Sequence, residues 1–443
     1  MHFSFLTYLL PMKKNADSPV QMLYPMEMHP YLLLLFYFVF LMTMNTNAQV
    51  KNDKWLEDLL RNQASPLLQS VLDRPEEYRY QVIYTRIDRD ANNQPHFTNY
   101  YLNVDNERYF YPASMVKLPT ALVALEKINS LKQKGIDKYT AMLTDSSYSG
   151  QTAVIEDSTS PTGLPFIDHY IKKIFVVSDN DAYNRLYEFC GQQYLNETLW
   201  AKGYKDMRIT RRFVKMTFEE NKHTNQIRFV KDGHTIYTQP PATSKAQFDF
   251  SKKILMGHAH WDADDNIINE PYDFTMHNKA TLEDLLLMMR SILFPQSVAP
   301  QRRFALTEDD YQKLYQYMSE KPSESRYPQY DTSAFFDSYT KFFFFRDGER
   351  KIPDYIRSFN KTGWSHGFLT DVCYIVDFKN NVEFMLSGNI YVNSDGVLND
   401  NKYEYKEIGY PFFREVGEKI YQYELQRKRS HRPNLEQWKL KYD

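Results

Sequence analysis

Cysteine is nearly missing from this chain: Cys190 and Cys373 are the only two among 443 residues. That excludes a small scaffold stapled by several disulfides. Both cysteines stand in apolar stretches, residues 186–190 and 372–376, so buried free thiols are expected rather than a bridge. An excess of one charge is missing too. The 54 basic and 56 acidic side chains leave a formal net charge of −2, and no long basic run appears, so nothing argues for a nucleic-acid partner. Clusters with metal-ligand spacing are absent. His258 and His260 come nearest, but no matching pair follows them, and neither a metal nor another cofactor is expected. No internal repeat and no low-complexity linker divides the chain, which favours one compact domain.

Long apolar runs are also lacking. The strongest covers residues 31–42, twelve in all, too few for a bilayer core of about 30 Å but suited to the core of a signal peptide. A small residue, Ala48, stands just after it at a plausible cleavage point, so residues 1–48 are read as a signal peptide, with Met26 and Met28 as alternative starts. The mature protein is expected to begin near Gln49, to lie outside the cytoplasm, and to comprise a single domain over residues 49–443.

What is present is a globular composition, 42% apolar and 25% charged, with readable periodicities. Residues 55–72 suggest a helix broken at Pro66, and residues 78–87 and 97–104 suggest two strands around a turn at 90–93. Helices follow at 164–177, 182–190, 281–293 and 307–318, with Thr281 capping the third of these. Within an ill-patterned stretch at 222–273, residues 227–238 suggest a hairpin turning at Asp232-Gly233. Strands are expected at 356–361, broken by Thr362-Gly363, then at 371–378 and 382–392, before a last amphipathic helix at 410–425. Strands at both ends and helices between them predict an α+β fold: one antiparallel sheet built from both chain ends, flanked by helices, with a helical subdomain.

The chemistry centres on Ser114-Met115-Val116-Lys117, followed at once by a helical apolar run from Leu118 to Ile128. Positions i and i+3 share a helix face, so the Lys117 amine is expected near the Ser114 hydroxyl. A lysine in a dry site loses its proton readily and can serve as base to the serine. The pattern alone is weak, because it recurs at Ser338–Lys341 and Ser358–Lys361. Ser178-Asp179-Asn180 has two readings: an N-cap for the helix that follows, or a relay and ligand at a cleft edge.

Lys361-Thr362-Gly363 completes an ordered set: Ser114-x-x-Lys117, Ser178-Asp179-Asn180, Lys361-Thr362-Gly363. This set resembles the class A β-lactamases and penicillin-binding proteins, which share an acyl-serine mechanism and the β-lactamase/transpeptidase-like fold. The resemblance spans roughly residues 55 to 425. It implies Ser114 as nucleophile, Lys117 as its activator, and Ser178 as proton donor to the leaving nitrogen. It further implies Asn180 as ligand to the substrate side-chain amide, and Lys361 and Thr362 as ligands to the substrate carboxylate. The backbone N–H groups of Ser114 and Trp364, beside Gly363, would form the oxyanion hole.

One departure stands out. Class A enzymes carry a Glu-x-x-Leu-Asn element after the second motif, whose glutamate activates the water that frees the acyl-enzyme. Residues 210–221 contain none, and Leu195-Asn196 comes too early with Gln192 in the glutamate's place. Glu219 and Glu220 are the neighbouring carboxylates. The span from Ser178 to Lys361 also exceeds the class A spacing, which predicts an insertion near 222–273. The resemblance therefore implies an exported serine hydrolase, expected to be a monomer, that opens a β-lactam. Two alternatives are a D-alanyl-D-alanine peptidase or transpeptidase acting on peptidoglycan peptides, and a sensor that acylates once with little turnover.

Overall fold

A computed structural model describes residues 50–148 and 150–442; the signal-peptide reading and both alternative starts lie outside the described residues. Five antiparallel strands form the main sheet, in the order Ile356–Ser365, Phe368–Asp377, Val382–Tyr391, Gln81–Arg89, Pro95–Leu102. The two chain ends meet at its centre, where Val82 pairs with Gly388 and Tyr84 with Leu386. The strands Phe368–Asp377 and Val382–Tyr391 are buried along their whole length, as expected of inner strands covered on both faces.

Alternation along those strands sorts the core into two layers. Val82, Tyr84, Phe384 and Leu386 pack with Leu56, Leu60, Phe412, Phe413 and Ile420, from the first helix (Lys54–Arg61) and the last (Tyr410–Gln426). Ile83, Tyr374 and Met385 face the helical side, among Leu118, Leu122, Leu186 and Leu286. The helix Lys117–Ser130 is the axis of that side. Leu118, Leu122, Leu125 and Ile128 are all essentially inaccessible, because the helices Ile167–Val176, Asn180–Cys190 and Gln192–Ala201 surround it.

Several boundaries follow from local chemistry. Thr281 accepts a hydrogen bond from Asp284 N at 3.1 Å, and Thr307 and Asp310 cap each other's backbone in a reciprocal box. The hairpin Ile227–Lys231/His234–Gln239 turns at Asp232 and Gly233, both at positive φ (50° and 76°), and pairs with Ala141–Thr144 in a small sheet. Further along the same insertion, Ala259–Trp261 pairs in parallel with Val397–Leu398, and Leu255–Met256 pairs with Tyr272–Asp273. The first pairing ties this stretch to the segment just after the last strand of the main sheet, and the second lies within the stretch itself. Cys190 and Cys373 are buried and free.

The structure corrects one boundary. The strand expected to break at Thr362-Gly363 runs unbroken from Ile356 to Ser365. Gly363 is there for close approach rather than for a turn: a Cβ on it would stand 2.4 Å from Pro112 O and 3.0 Å from Ser114 N.

Candidate active site

Ser114 sits in a 3₁₀ turn, Ala113–Val116, that runs directly into the helix starting at Lys117. The residue before it, Ala113, holds a left-handed conformation at φ 44°. For a non-glycine residue that costs about 1–2 kcal/mol, and surrounding contacts must hold it. They are close at hand: Met115 N donates to Pro112 O at 2.9 Å, and Gly363 of the edge strand presses on the same carbonyl. The turn and the edge strand therefore fix each other. As an edge, the strand Ile356–Ser365 leaves every second N–H outside the ladder, on the side facing the turn.

Lys117 opens the helix and is fully buried. Its Nζ donates to the Ser178 carbonyl and to Asn180 Oδ1 at 2.7 Å, and stands 3.3 Å from Ser178 Oγ. No hydrogen bond joins it to Ser114 among the described residues. A neutral amine has two hydrogens, so the two oxygens can take both and leave its lone pair free. Burial first, then the charge of Lys361, holds the Lys117 pKa well below the usual lysine range.

The cap reading of the second motif holds, for one of its residues only. Asp179 is the cap, accepting from Ala182 N at 2.8 Å. Ser178, at φ 61° and buried, is released from capping. Its Oγ lies 3.0 Å from Lys361 Nζ as well as 3.3 Å from Lys117 Nζ. One hydroxyl thus bridges two buried amines.

Lys361 Nζ also donates to Thr362 O, and its neighbour Asn360 belongs to a buried polar network that the sequence did not reveal. Asn360 Nδ2 donates to Asp371 Oδ1 at 2.9 Å, while Lys341 Nζ donates to Asn360 Oδ1 at 2.6 Å. Phe342 N donates to Asp371 Oδ2 at 3.1 Å. Burial pushes Asp371 up to about 7 and Lys361 down to about 7. The available clue was an aspartate within an otherwise apolar strand, since a buried carboxylate needs partners. The network also explains the recurrent serine–lysine pattern. Lys341 spends its amine on Met318 O, Ser358 O and Asn360. Ser358 and Lys361 share a strand, where positions i and i+3 point to opposite faces.

Ser114, Ser178, Asn180 and Trp364 line one cleft of about 610 Å³. Thr362 does not; its Oγ1 is enclosed without a hydrogen-bond partner. The rest of the wall was not legible in advance: Arg211 and Phe213 from the loop after the helix Gln192–Ala201, Tyr272 from the insertion, and His366 beyond the third motif. Gln192 and Asn196 stand behind that loop. Asn196 exchanges hydrogen bonds of 2.8 Å with both N and O of Ile209, and Gln192 Nε2 donates to Thr210 O at 2.9 Å. The loop then docks on the helix Asn180–Cys190: Phe213 N donates to Asn184 Oδ1 at 2.8 Å, and buried Arg212 pairs with buried Glu188 at 3.2 Å.

Among the described residues no carboxylate lines the cleft. Glu219 pairs with Lys222 at 2.7 Å, and Glu220 accepts from Thr217 N at 2.6 Å. Both are turned to local partners on the outer side of the loop.

The chain matches the sequence model described as the beta-lactamase enzyme family over residues 91–423. No curated protein matches it. Similar solved structures include a β-lactamase from Sphaerobacter thermophilus, 13% identical, covering 80% of this chain and 95% of that one with a TM-score of 0.43. A β-lactamase from Xanthomonas campestris is 13% identical, with coverages of 82% and 97% and a TM-score of 0.44. One from Burkholderia vietnamiensis is 11% identical, with coverages of 83% and 100% and a TM-score of 0.43.

Proposed function

The chain belongs to the beta-lactamase enzyme family, and from that premise we propose that it is a serine hydrolase that opens a cyclic amide through an acyl-Ser114 intermediate. The observation that carries the reading is the Ser178 hydroxyl held between two buried amines, at 3.3 Å from Lys117 and 3.0 Å from Lys361, in the cleft that Ser114 lines.

In the proposed acylation, neutral Lys117 takes the Ser114 proton as Oγ bonds to the carbonyl carbon. The N–H groups of Ser114 and Trp364 receive the developing oxyanion. Collapse breaks the C–N bond; the leaving nitrogen takes a proton from Ser178, which is resupplied by Lys117. Asn180 holds the acyl side-chain amide. Lys361 supplies positive charge to the substrate carboxylate, and Thr362 takes part only if its enclosed hydroxyl becomes reachable on binding.

Release of the acyl group needs a base for water. With no carboxylate on the cleft wall, that work falls to Lys117, and slow release follows. This observation favours a second reading beside lactam hydrolysis: a peptidase, transpeptidase or acylated sensor for peptidoglycan peptides that also traps β-lactams. Export rests on the apolar core at residues 31–42, and N-terminal sequencing of the native protein should begin near Gln49.

A fluorescent penicillin tests the reading. Wild type, Ser338→Ala and Ser358→Ala are expected to label covalently and Ser114→Ala to stay dark. Labelling that survives Ser114→Ala refutes the assignment.

A further inference from the structure

The cleft wall carries cations without counterions. Arg211, Arg212 and Lys215 all line it, and only Arg212 is neutralised, by Glu188. No described carboxylate lies within ion-pair distance of Arg211 or Lys215. Arg211 is held in place from two sides. Its carbonyl accepts from Tyr183 OH at 2.8 Å, and its Nη1 lies 3.3 Å from the His277 ring nitrogens. Among the described residues the other guanidinium nitrogens have no hydrogen-bond partner.

A rigid aromatic wall stands beside it. The His366 ring stacks on Tyr272 with centroids 5.6 Å apart and meets Tyr111 edge-on at 5.0 Å. Tyr272 packs edge-on against His277 at 5.5 Å. Burial, with the Arg211 charge adding to it, lowers His277 to about 3 and His366 to about 4. Both rings are therefore neutral at pH 7, and neither repels the guanidinium. The nearest acidic influence on His277 is Asp273, which is occupied by Thr275 N at 2.7 Å and by Lys253 at 3.6 Å.

We propose that Arg211, with Lys215 beside it and the Tyr272–His366 wall flanking it, forms a second anion subsite that binds a carboxylate on the acyl group of the substrate. This rests on Ser114 being the acylated residue. The carboxylate is additional to the one assigned to Lys361, so the preferred substrate class is a dianionic amide. The acyl side is indicated because residues 211–213 dock on the helix that begins at Asn180, the residue read as the ligand of the acyl side-chain amide. A guanidinium with free donors in a cleft lacking acids binds a carboxylate through charge-assisted, geometrically specific hydrogen bonds. Lys215, exposed at the mouth, adds attraction over distance.

The test compares two penicillins that differ only in a carboxylate on the side chain, by the rate of adduct formation on the purified protein. Wild type is expected to acylate about ten-fold or more faster with the carboxylated compound. That ratio should fall towards one in Arg211→Gln, recover partly in Arg211→Lys, and shrink with added salt. Equal rates for the two compounds in wild type overturn the subsite while leaving acyl-Ser114 intact. If neither compound acylates the protein, the function reading fails, and phenylmalonate binding followed by calorimetry decides the subsite separately. Binding to wild type that is lost in Arg211→Gln supports it; no binding, or binding undiminished in Arg211→Gln, overturns it. Thermal melts of both variants exclude unfolding as the cause of any loss.

Discussion

The amine of Lys117 faces the ring of Phe213, 5.2 Å from its centroid, where it meets no carboxylate. Tyr183 packs against that ring with centroids 4.7 Å apart, so the phenylalanine is held in place. The ring helps to shield the amine from water, and burial together with the charge of Lys361 favours the neutral form that suits attack by Ser114. The ring offers nothing to a second water molecule. Acylation and hydrolysis of the acyl-enzyme are thereby given unequal support.

The glutamates of the loop should accordingly be spectators. Glu219→Gln and Glu220→Gln are expected to leave acylation and deacylation within a few-fold of wild type. Single-turnover kinetics on the two variants checks this, and a long-lived adduct specific to either one would show that the carboxylate reaches the site after all.

The charge of Lys361 should be visible in the pH profile. A protonated Lys117 cannot act as base, so acylation falls as pH drops through its pKa. Lys361 in its charged form disfavours a proton on Lys117. Removing that charge in Lys361→Met makes protonation easier, raises the Lys117 pKa, and moves the acidic limb to higher pH. A limb that stays in place, or moves to lower pH, contradicts the coupling.

Gly363 should not tolerate even one methyl group. In Gly363→Ala the Cβ would lie 2.4 Å from Pro112 O and 2.9 Å from Met115 N, and all of these neighbours are backbone. We expect a loss of about 1–3 kcal/mol in chemical unfolding, together with a much larger fall in acylation, because the turn that aims Ser114 must shift. Wild-type acylation by a folded Gly363→Ala protein would show that the contact does not set the nucleophile.

How far the sequence reached depended on the kind of signal. Ser114, Ser178 and Lys361 were legible as spaced motifs, and the structure brings all three to one place. The sheet from both ends was legible because short strand-like runs bounded by turn residues, at 78–104 and 356–392, flank period-3.6 runs. Thr281 announced itself by side-chain chemistry, and Asp232-Gly233 by its turn preference. Thr362-Gly363 misled, since a glycine within a strand can mark a break or a close approach, and only the packing partner tells which. Arg211, Tyr272 and His366 were not legible at all. They come from a loop, a two-residue strand and a turn far apart in the chain and share no periodicity, and only the folded chain gathers them at the cleft.

The loop that carries Arg211 should depend on its buried ion pair. Glu188→Ala leaves Arg212 inside without a counter-charge. Breaking one half of such a pair costs about 3–5 kcal/mol, so the melting temperature should fall well below that of wild type. An unchanged melt would mean that Arg212 finds solvent, and that the loop is held by its hydrogen bonds without the ion pair.

The central claim is that Ser114 is acylated and released slowly. Intact-protein mass spectrometry after mixing with a single equivalent of a penicillin, followed over time, tests both halves at once. The account predicts an added mass equal to the whole penicillin, mapped to Ser114 and absent from Ser114→Ala, that persists long after free drug is gone. No adduct on wild type, or an adduct of that mass on Ser114→Ala, would contradict it.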